Sequence, residues 1–354
     1  MKWVTFHPGQ GQPRIGIIHG DRIIDLPAAC RRVLGQQPPW CIDMLAALDA
    51  WDEATSKARA ILQALGSLPD GEVAVPIDRA TLLAPVPRPR SLRDCMGFER
   101  HVAQAMRGAV RRSRPWLAAV DAVVERLAGR GILRPPAVWY ERPIYYKGNP
   151  ASVVGPDADV VWPSFTTQLD YELEFGVIVG RRGRDIPVES AHRHIAGYLI
   201  FNDFSARDVQ IREMAARLGP AKGKDFDTGN AMGPWLVTPD EIPNPKALRM
   251  TARINGELWS EGRSGDMAHS FDEVLAFISR DETLFPGDFV GSGAVPNGCG
   301  LELNRWLRVG DVVELEVEGL GVLRNRIARA PGAHSPCVTH RIGATGRHCY
   351  NTSR

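Results

Sequence analysis

The chain has 354 residues, 44% of them hydrophobic and 24% charged, with a formal net charge of +2. Those proportions are ordinary for a folded globular protein and leave room for about two domains. A charge so near balance gives no case for a nucleic-acid or membrane-surface partner, and no apolar run reaches the ~18–20 residues that span a bilayer.

The apolar start Met1-Lys-Trp-Val-Thr-Phe is cut off by Pro8 and Gly9, too early for a secretory signal, so a cytoplasmic protein is expected. Residues 14–26 place the turn His19-Gly20-Asp21 between two isoleucine pairs, the pattern of a hairpin. Residues 41–65 carry Met44, Leu45, Leu48, Ile61, Leu62 and Leu65 at helical spacing. Pro85, Pro87 and Pro89 then make a stiff connector, which sets a boundary after a small N-terminal α+β module, residues 1–85. Beyond it, residues 116–128 read as an amphipathic helix with Trp116, Val120, Val124 and Leu127 on one side.

From about residue 139 the pattern turns to strands, at 153–154, 160–162, 171–179, 197–202, 235–238 and 250–254. Ser205 reads as the cap of a helical start with Asp208 three residues on. Ser270-Phe-Asp-Glu273 is a capping box that opens a helix. Near the end, Val313, Leu315 and Val317 alternate with Glu314, Glu316 and Glu318, and Gly319-Leu-Gly321 turns this run into a second strand. The larger part, residues 86–330, is therefore strand-rich and closer to a mixed β-sandwich or roll than to a doubly wound sheet. The fold class expected is α+β, mostly β. Residues 331–354 form a C-terminal extension; its Cys337-Val-Thr-His340 and His348-Cys349 match no standard zinc spacing. The six cysteines contain no Cys-x-x-Cys pair, so no disulfide framework is indicated.

The chemistry-bearing feature is Asp170-Tyr-Glu172-Leu-Glu174, three acids alternating with core residues at the start of a strand-like run. Carboxylates on one strand face repel, and a divalent cation removes that cost. A solvated edge strand explains the same spacing equally well. Elsewhere Asp203 ends an apolar strand, His101 follows Asp94 by seven residues, Lys224 lies in a polar loop, and Glu302 stands alone between Leu301 and Leu303. Each also has an ordinary structural reading, as a turn acid, a surface histidine, a solvated lysine or an exposed strand position.

In combination these pieces resemble the fumarylacetoacetate hydrolase family. The resemblance runs from about residue 80 to 328 and rests on Asp94…His101, Asp170-Tyr-Glu-Leu-Glu174, Asn202-Asp-Phe-Ser-Ala-Arg-Asp-Val-Gln210, Gly223-Lys224, Gly287-Asp288 and Leu301-Glu302-Leu303. It implies that Asp94, Glu172, Glu174 and Asp203 hold a divalent ion (Mg²⁺, Mn²⁺ or Ca²⁺), with Asp170 in a supporting place. It further implies that His101 activates a water, oriented by Glu302, and that Lys224, Gln210 and Arg107 stabilise developing oxyanion charge. Tyr146 would contact substrate, and a homodimer is implied. One departure stands out: Ala294 occupies a position where a threonine that donates to a substrate carboxylate is expected, and Ser292 is the candidate substitute.

The function implied is hydrolysis of a carbon–carbon bond in an acylpyruvate or another β-diketone or 2-oxo acid, with an enolate leaving group held by the metal. A hydratase, tautomerase or decarboxylase of a 2-oxo acid is the alternative on the same scaffold. A binding protein that keeps the fold without catalysis is the alternative from another class.

Overall fold

The computed structural model describes residues 1–66 and 72–329. The C-terminal extension, with its cysteines and histidines, lies outside the described residues.

The two expected parts share one sheet. Ten of its 12 strands run, along the main path, from Ala74–Pro76 through Arg22–Asp25, Arg14–His19 and Lys2–His7 to Asn230–Val237. The path continues through Ile195–Asp203, Glu174–Val179, Asp288–Gly291 and Ser91–Cys95 to Tyr145–Gly148. Lys2–His7 pairs antiparallel with Asn230–Val237, so the N-terminal hairpins extend the sheet that carries the central acids. The His19-Gly20-Asp21 hairpin forms as expected, with His19 opposite Arg22.

A second sheet of five strands runs Glu257–Arg263, Arg249–Ile254, Val312–Val317, Gly321–Arg329, Asp159–Trp162. Its strands alternate: Val313, Leu315 and Val317 are buried while Glu316 faces out. The central strands Glu174–Val179 and Ile195–Asp203 are instead buried at every position, because both faces of the large sheet are covered. One core lies between the sheets, where Phe175 meets Phe271 edge-on at 5.2 Å. A second core packs Trp3, Ile17, Trp40 and Leu48 against Phe289 under the N-terminal helices.

The helical stretch 41–65 splits into Met44–Asp49 and Trp51–Leu65, because Ala50 leaves helical geometry at φ −120 and ψ 36. Cys30 and Cys41, with nothing in their spacing to pair them, meet in this module as buried free thiols with their sulfurs 3.0 Å apart. The Ser270 capping box forms with both of its hydrogen bonds.

Two expectations need correction. The run 171–179 is broken: strand pairing covers Leu169–Asp170 and Glu174–Val179, and the chain between departs to place Glu172 separately. Ser205 does not cap the helix Arg207–Met214; its hydroxyl turns back to the Asp203 carbonyl, and Asp208 accepts instead from Thr166 and Thr167. The helix expected over 116–128 forms as Pro115–Ala128, and its apolar side faces out, with Trp116 66% and Leu127 82% exposed. It is held to the helix Glu99–Ser113 by its polar side, through Asp121 and Glu125. No helix among the described residues is long and apolar enough to cross a membrane.

Candidate active site

Asp94, Glu174 and Asp203 converge because their strands are near neighbours in the large sheet. Ser91–Cys95 pairs with Asp288–Gly291, placing Asp94 opposite Gly291, and Gly291 in turn pairs with Gly176 beside Glu174. The next strand brings Phe201 opposite Glu174, two residues before Asp203. Gly291 lies between two of the acids, and a Cβ there would fall 2.3 Å from Asp94 Oδ1. Only glycine lets Asp94 cross that strand.

The result is a buried group in which one carboxylate oxygen from each acid lies within 4.8 Å of the other two. The Gly293 N–H donates to both Asp94 Oδ1 (3.2 Å) and Glu174 Oε2 (3.1 Å). Gly293 adopts φ +79, and a Cβ on it would meet the Cys95 carbonyl at 2.2 Å. Glu174 Oε1 and Asp203 Oδ1 have no hydrogen-bond partner although both are buried. Burial, with mutual repulsion, pushes the carboxyl of Asp94 up to about 6 and that of Asp203 up to about 7. Burial and the Asp94 charge push Glu174 well above the usual range. Orphaned, crowded, buried oxygens are an unfavourable arrangement on their own. They fit a hard divalent cation, whose ~2.1 Å metal–oxygen bonds put opposite ligands ~4.2 Å apart.

Glu172 is placed differently from the other three. Its carboxylate accepts from Arg207 Nη2 (2.8 Å) and Lys224 Nζ (2.6 Å), outside the three-acid group. Burial opposes its ionisation, but Lys224 and Arg207 win and hold its carboxyl below the usual range. Lys224 also reaches Asp203 Oδ2 at 2.5 Å and is only 3% exposed, so this loop lysine is a buried clamp rather than a solvated charge. Tyr146 donates to the same Asp203 oxygen at 2.6 Å.

Beside Glu172 stands the histidine. His101, on the helix Glu99–Ser113, has Nε2 4.0 Å from Glu172 Oε1 and Nδ1 3.1 Å from Glu302 Oε2. The second contact is an ion-pair distance, off line for a directed hydrogen bond. Glu302 is not on a strand but on the short helix Gly300–Leu303, where the Asn297 and Cys299 N–H groups fix its two oxygens. Burial pulls the His101 pKa down, and the Glu302 carboxylate more than offsets that, so the ring is a stronger base than usual.

The remaining site candidates divide. Gln210 accepts from Arg207 Nη1 at 2.8 Å through its carbonyl oxygen, which leaves its NH₂ group to donate. Arg107 is not brought to the acids: its guanidinium engages Asp121 and Glu125 at 2.6 Å each, within the helical hairpin. Ser292 is fully buried, donating to the Gly293 carbonyl and accepting from the Phe175 N–H, so its hydroxyl serves the loop that aims Gly293. Ala294 is buried beside it.

Two functional positions had no role assigned from sequence. Arg207 bridges Asp170 (2.8 Å) and Glu172 (2.8 Å) at 3% exposure, while Asp170 also accepts the Gly300 and Leu301 N–H groups. Asp170 thus ties the acid strand to the Glu302 helix, in the supporting place expected of it. The signal for Arg207 was its position in Asn202-Asp-Phe-Ser-Ala-Arg207, four residues past Asp203. Removing it leaves Asp170 buried without a counter-charge and Glu172 with Lys224 alone, and R207A is expected to cost about 3–5 kcal/mol of folding stability. A denaturant melt showing a loss under about 1 kcal/mol would contradict this reading of the pair. The other position is Gly293, recognisable only once its φ and its neighbours are known.

The fold is thus mixed and mostly β, and in it a buried carboxylate group whose chemistry fits a hard cation stands beside a His–Glu pair. The model of the fumarylacetoacetate (FAA) hydrolase C-terminal domain matches residues 113–328, and the chain belongs to that family. The match begins after Asp94 and His101, which the fold brings back to it. Among curated relatives, the human mitochondrial oxaloacetate tautomerase FAHD2A is 35% identical over 188 residues, 53% of this chain and 59% of that protein. The Bacillus subtilis (strain 168) oxaloacetate tautomerase YisK is 37% identical over 191 residues, 53% of this chain and 62% of that protein. The chain therefore spans about three fifths of the length of these relatives. A maleylpyruvate hydrolase from Sphingobium sp. SYK-6, solved with manganese(II) and pyruvate, shares the fold with a TM-score of 0.65 at 19% identity, covering 93% of this chain and 99% of that one. These relatives are enzymes. The curated pair carries a tautomerase name, so C–C hydrolysis is not specifically supported by them.

Proposed function

We propose that this protein is a divalent-cation-dependent enzyme that moves a proton on a small 2-oxo acid, interconverting its keto and enol forms. One observation carries the reading: three crowded, buried acids, two of them with orphaned oxygens, lie beside a His101–Glu302 pair whose histidine Nε2 is 4.0 Å from Glu172. The tautomerase names of the relatives and the manganese and pyruvate of the structural neighbour support it.

Asp94, Glu174 and Asp203 would hold the ion, with Glu172 at its edge; Mg²⁺ or Mn²⁺ suits an all-oxygen set. The chemistry such an ion supplies when bound is polarisation of the 2-oxo carbonyl, which eases loss of a proton from the neighbouring carbon. His101 Nε2 takes that proton and returns it, to carbon in the keto direction and to oxygen in the enol direction. Glu302 keeps the ring basic and oriented. Lys224 and the Gln210 NH₂ group stabilise negative charge developing on the substrate oxygen. Arg207 and Asp170 position Glu172 and the Glu302 helix.

C–C hydrolysis is the second reading, favoured by the same His101–Glu302 pair. There His101 takes a proton from water, the hydroxide attacks the distal acyl carbon, and the C–C bond breaks. The acyl part leaves as a carboxylic acid, and the 2-oxo acid leaves as an enolate that takes up a proton. Incubation with oxaloacetate and with a panel of acylpyruvates separates the two. Keto–enol exchange is expected to run faster than the uncatalysed rate, to stop with a chelator and to return with Mg²⁺ or Mn²⁺. Acylpyruvate cleavage with no effect on tautomerisation would shift the assignment to the hydrolase, and no cation-dependent turnover of either would remove both.

A further inference from the structure

The capping box of the helix Gly300–Leu303 assembles three unlike donors. Cys299 Sγ lies 3.3 Å from Glu302 Oε2, and His101 Nδ1 lies 3.1 Å from the same oxygen. The three atoms all fall within 4.8 Å of one another. Cys299 is fully buried, and His101 Nδ1 is buried without an aligned hydrogen-bond partner. This nitrogen–sulfur–oxygen set differs in kind from the all-oxygen group a few residues away. Imidazole and thiolate favour zinc, whereas carboxylates alone favour magnesium or manganese. Zinc bonds of ~2.3 Å to sulfur and ~2.0–2.1 Å to nitrogen and oxygen put tetrahedral ligands ~3.3–3.6 Å apart. The observed 3.1 and 3.3 Å separations need open only slightly to match.

We propose that His101, Cys299 and Glu302 form an inhibitory zinc site. Zn²⁺ binds Nδ1, Sγ and Oε2, with water in the fourth position. The Cys299 S–H proton and the proton on His101 Nδ1 leave to solvent, and no electron changes hands. Glu302 is then spent on the metal, and His101 can no longer cycle between its protonated and neutral forms. The binding claim stands on geometry alone; the inhibition claim rests on the function proposed above.

The experiment uses the full chain, saturated with Mg²⁺, and titrates in Co²⁺ as a spectroscopic stand-in for zinc. The wild-type protein is expected to show an intense near-ultraviolet thiolate-to-cobalt band that added Zn²⁺ bleaches. C299S, and C299A as a second variant, are expected to lack it while melting like wild type. In turnover assays Zn²⁺ should inhibit wild type, with C299S at least roughly tenfold less sensitive when each is measured against its own Mg²⁺-supported rate. No cobalt–thiolate band in wild type overturns the proposal whatever the variants do, as does an equal band or equal zinc sensitivity in C299S. A Cys299-dependent band in a protein that turns over no 2-oxo acid would uphold the zinc site and remove the enzymatic reading.

Discussion

His101→Ala is expected to lower turnover by about 10²–10⁴-fold while leaving divalent-cation binding intact. The size follows from what is lost, a positioned proton acceptor, while the three cation-binding acids are untouched. Nε2 is 4.0 Å from Glu172 and so lies at the edge of the carboxylate group, and Glu302 at Nδ1 raises the ring's basicity above the ordinary value despite burial. A base raised in this way must first lose its proton, so the wild-type rate should climb with pH through a limb that lies above the ordinary imidazole range. That limb should vanish in His101→Ala, which separates proton transfer from mere support of the fold. Glu302→Gln should weaken the rate and move the limb downward. A rate within about tenfold of wild type, with the limb still present, would remove His101 from the chemistry.

Glu174→Gln is expected to abolish cation binding and turnover, yet to make the cation-free protein more stable at neutral pH and above. The acids of this group are raised, Asp94 up to about 6, Asp203 up to about 7 and Glu174 well above the usual range, by burial first and then by one another. Each therefore holds its proton more tightly folded than unfolded. Between the unfolded carboxylate pKa of about 4 and the folded values near 7, the native state binds more protons, so stability falls as pH rises through that window. Thermal melts of cation-free protein should thus drop in Tm from about pH 5 to about pH 8. Saturating Mg²⁺ or Mn²⁺ should flatten that slope, since the ion binds only the folded, deprotonated group. Glu174→Gln removes one of the groups that must take up a proton on folding and should shrink the slope without any cation. A cation-free Tm that is flat or rises over this range would mean that the acids do not crowd one another in solution.

The hairpins were legible because their signals are local. His19-Gly20-Asp21 needs only its own turn chemistry, and the clean alternation from Val313 to Val317 needs only one wet face. The central strands were harder, since both faces are covered and alternation disappears. The helix Pro115–Ala128 was legible as an amphipathic helix, but not its attachment, which is ionic, through Asp121 and Glu125 to Arg107. The same pairing took Arg107 away from the oxyanion role that resemblance implied for it.

Sequence alone determined the types of group available: acids spaced at two along residues 170–174, a histidine seven residues after Asp94, and the family resemblance that ordered them. It could not determine which oxygens would meet. Asp94 and Glu174 are 80 positions apart in the chain and come together only across a strand whose glycine, Gly291, leaves space for a carboxylate to pass. Glu172 shares their chemistry, but a break in the strand turns it toward Arg207 and Lys224, where paired cations keep it ionised. Residue type and spacing are written in one dimension. Ionisation, desolvation and reach depend on neighbours in three, and only the packed sheet supplies those.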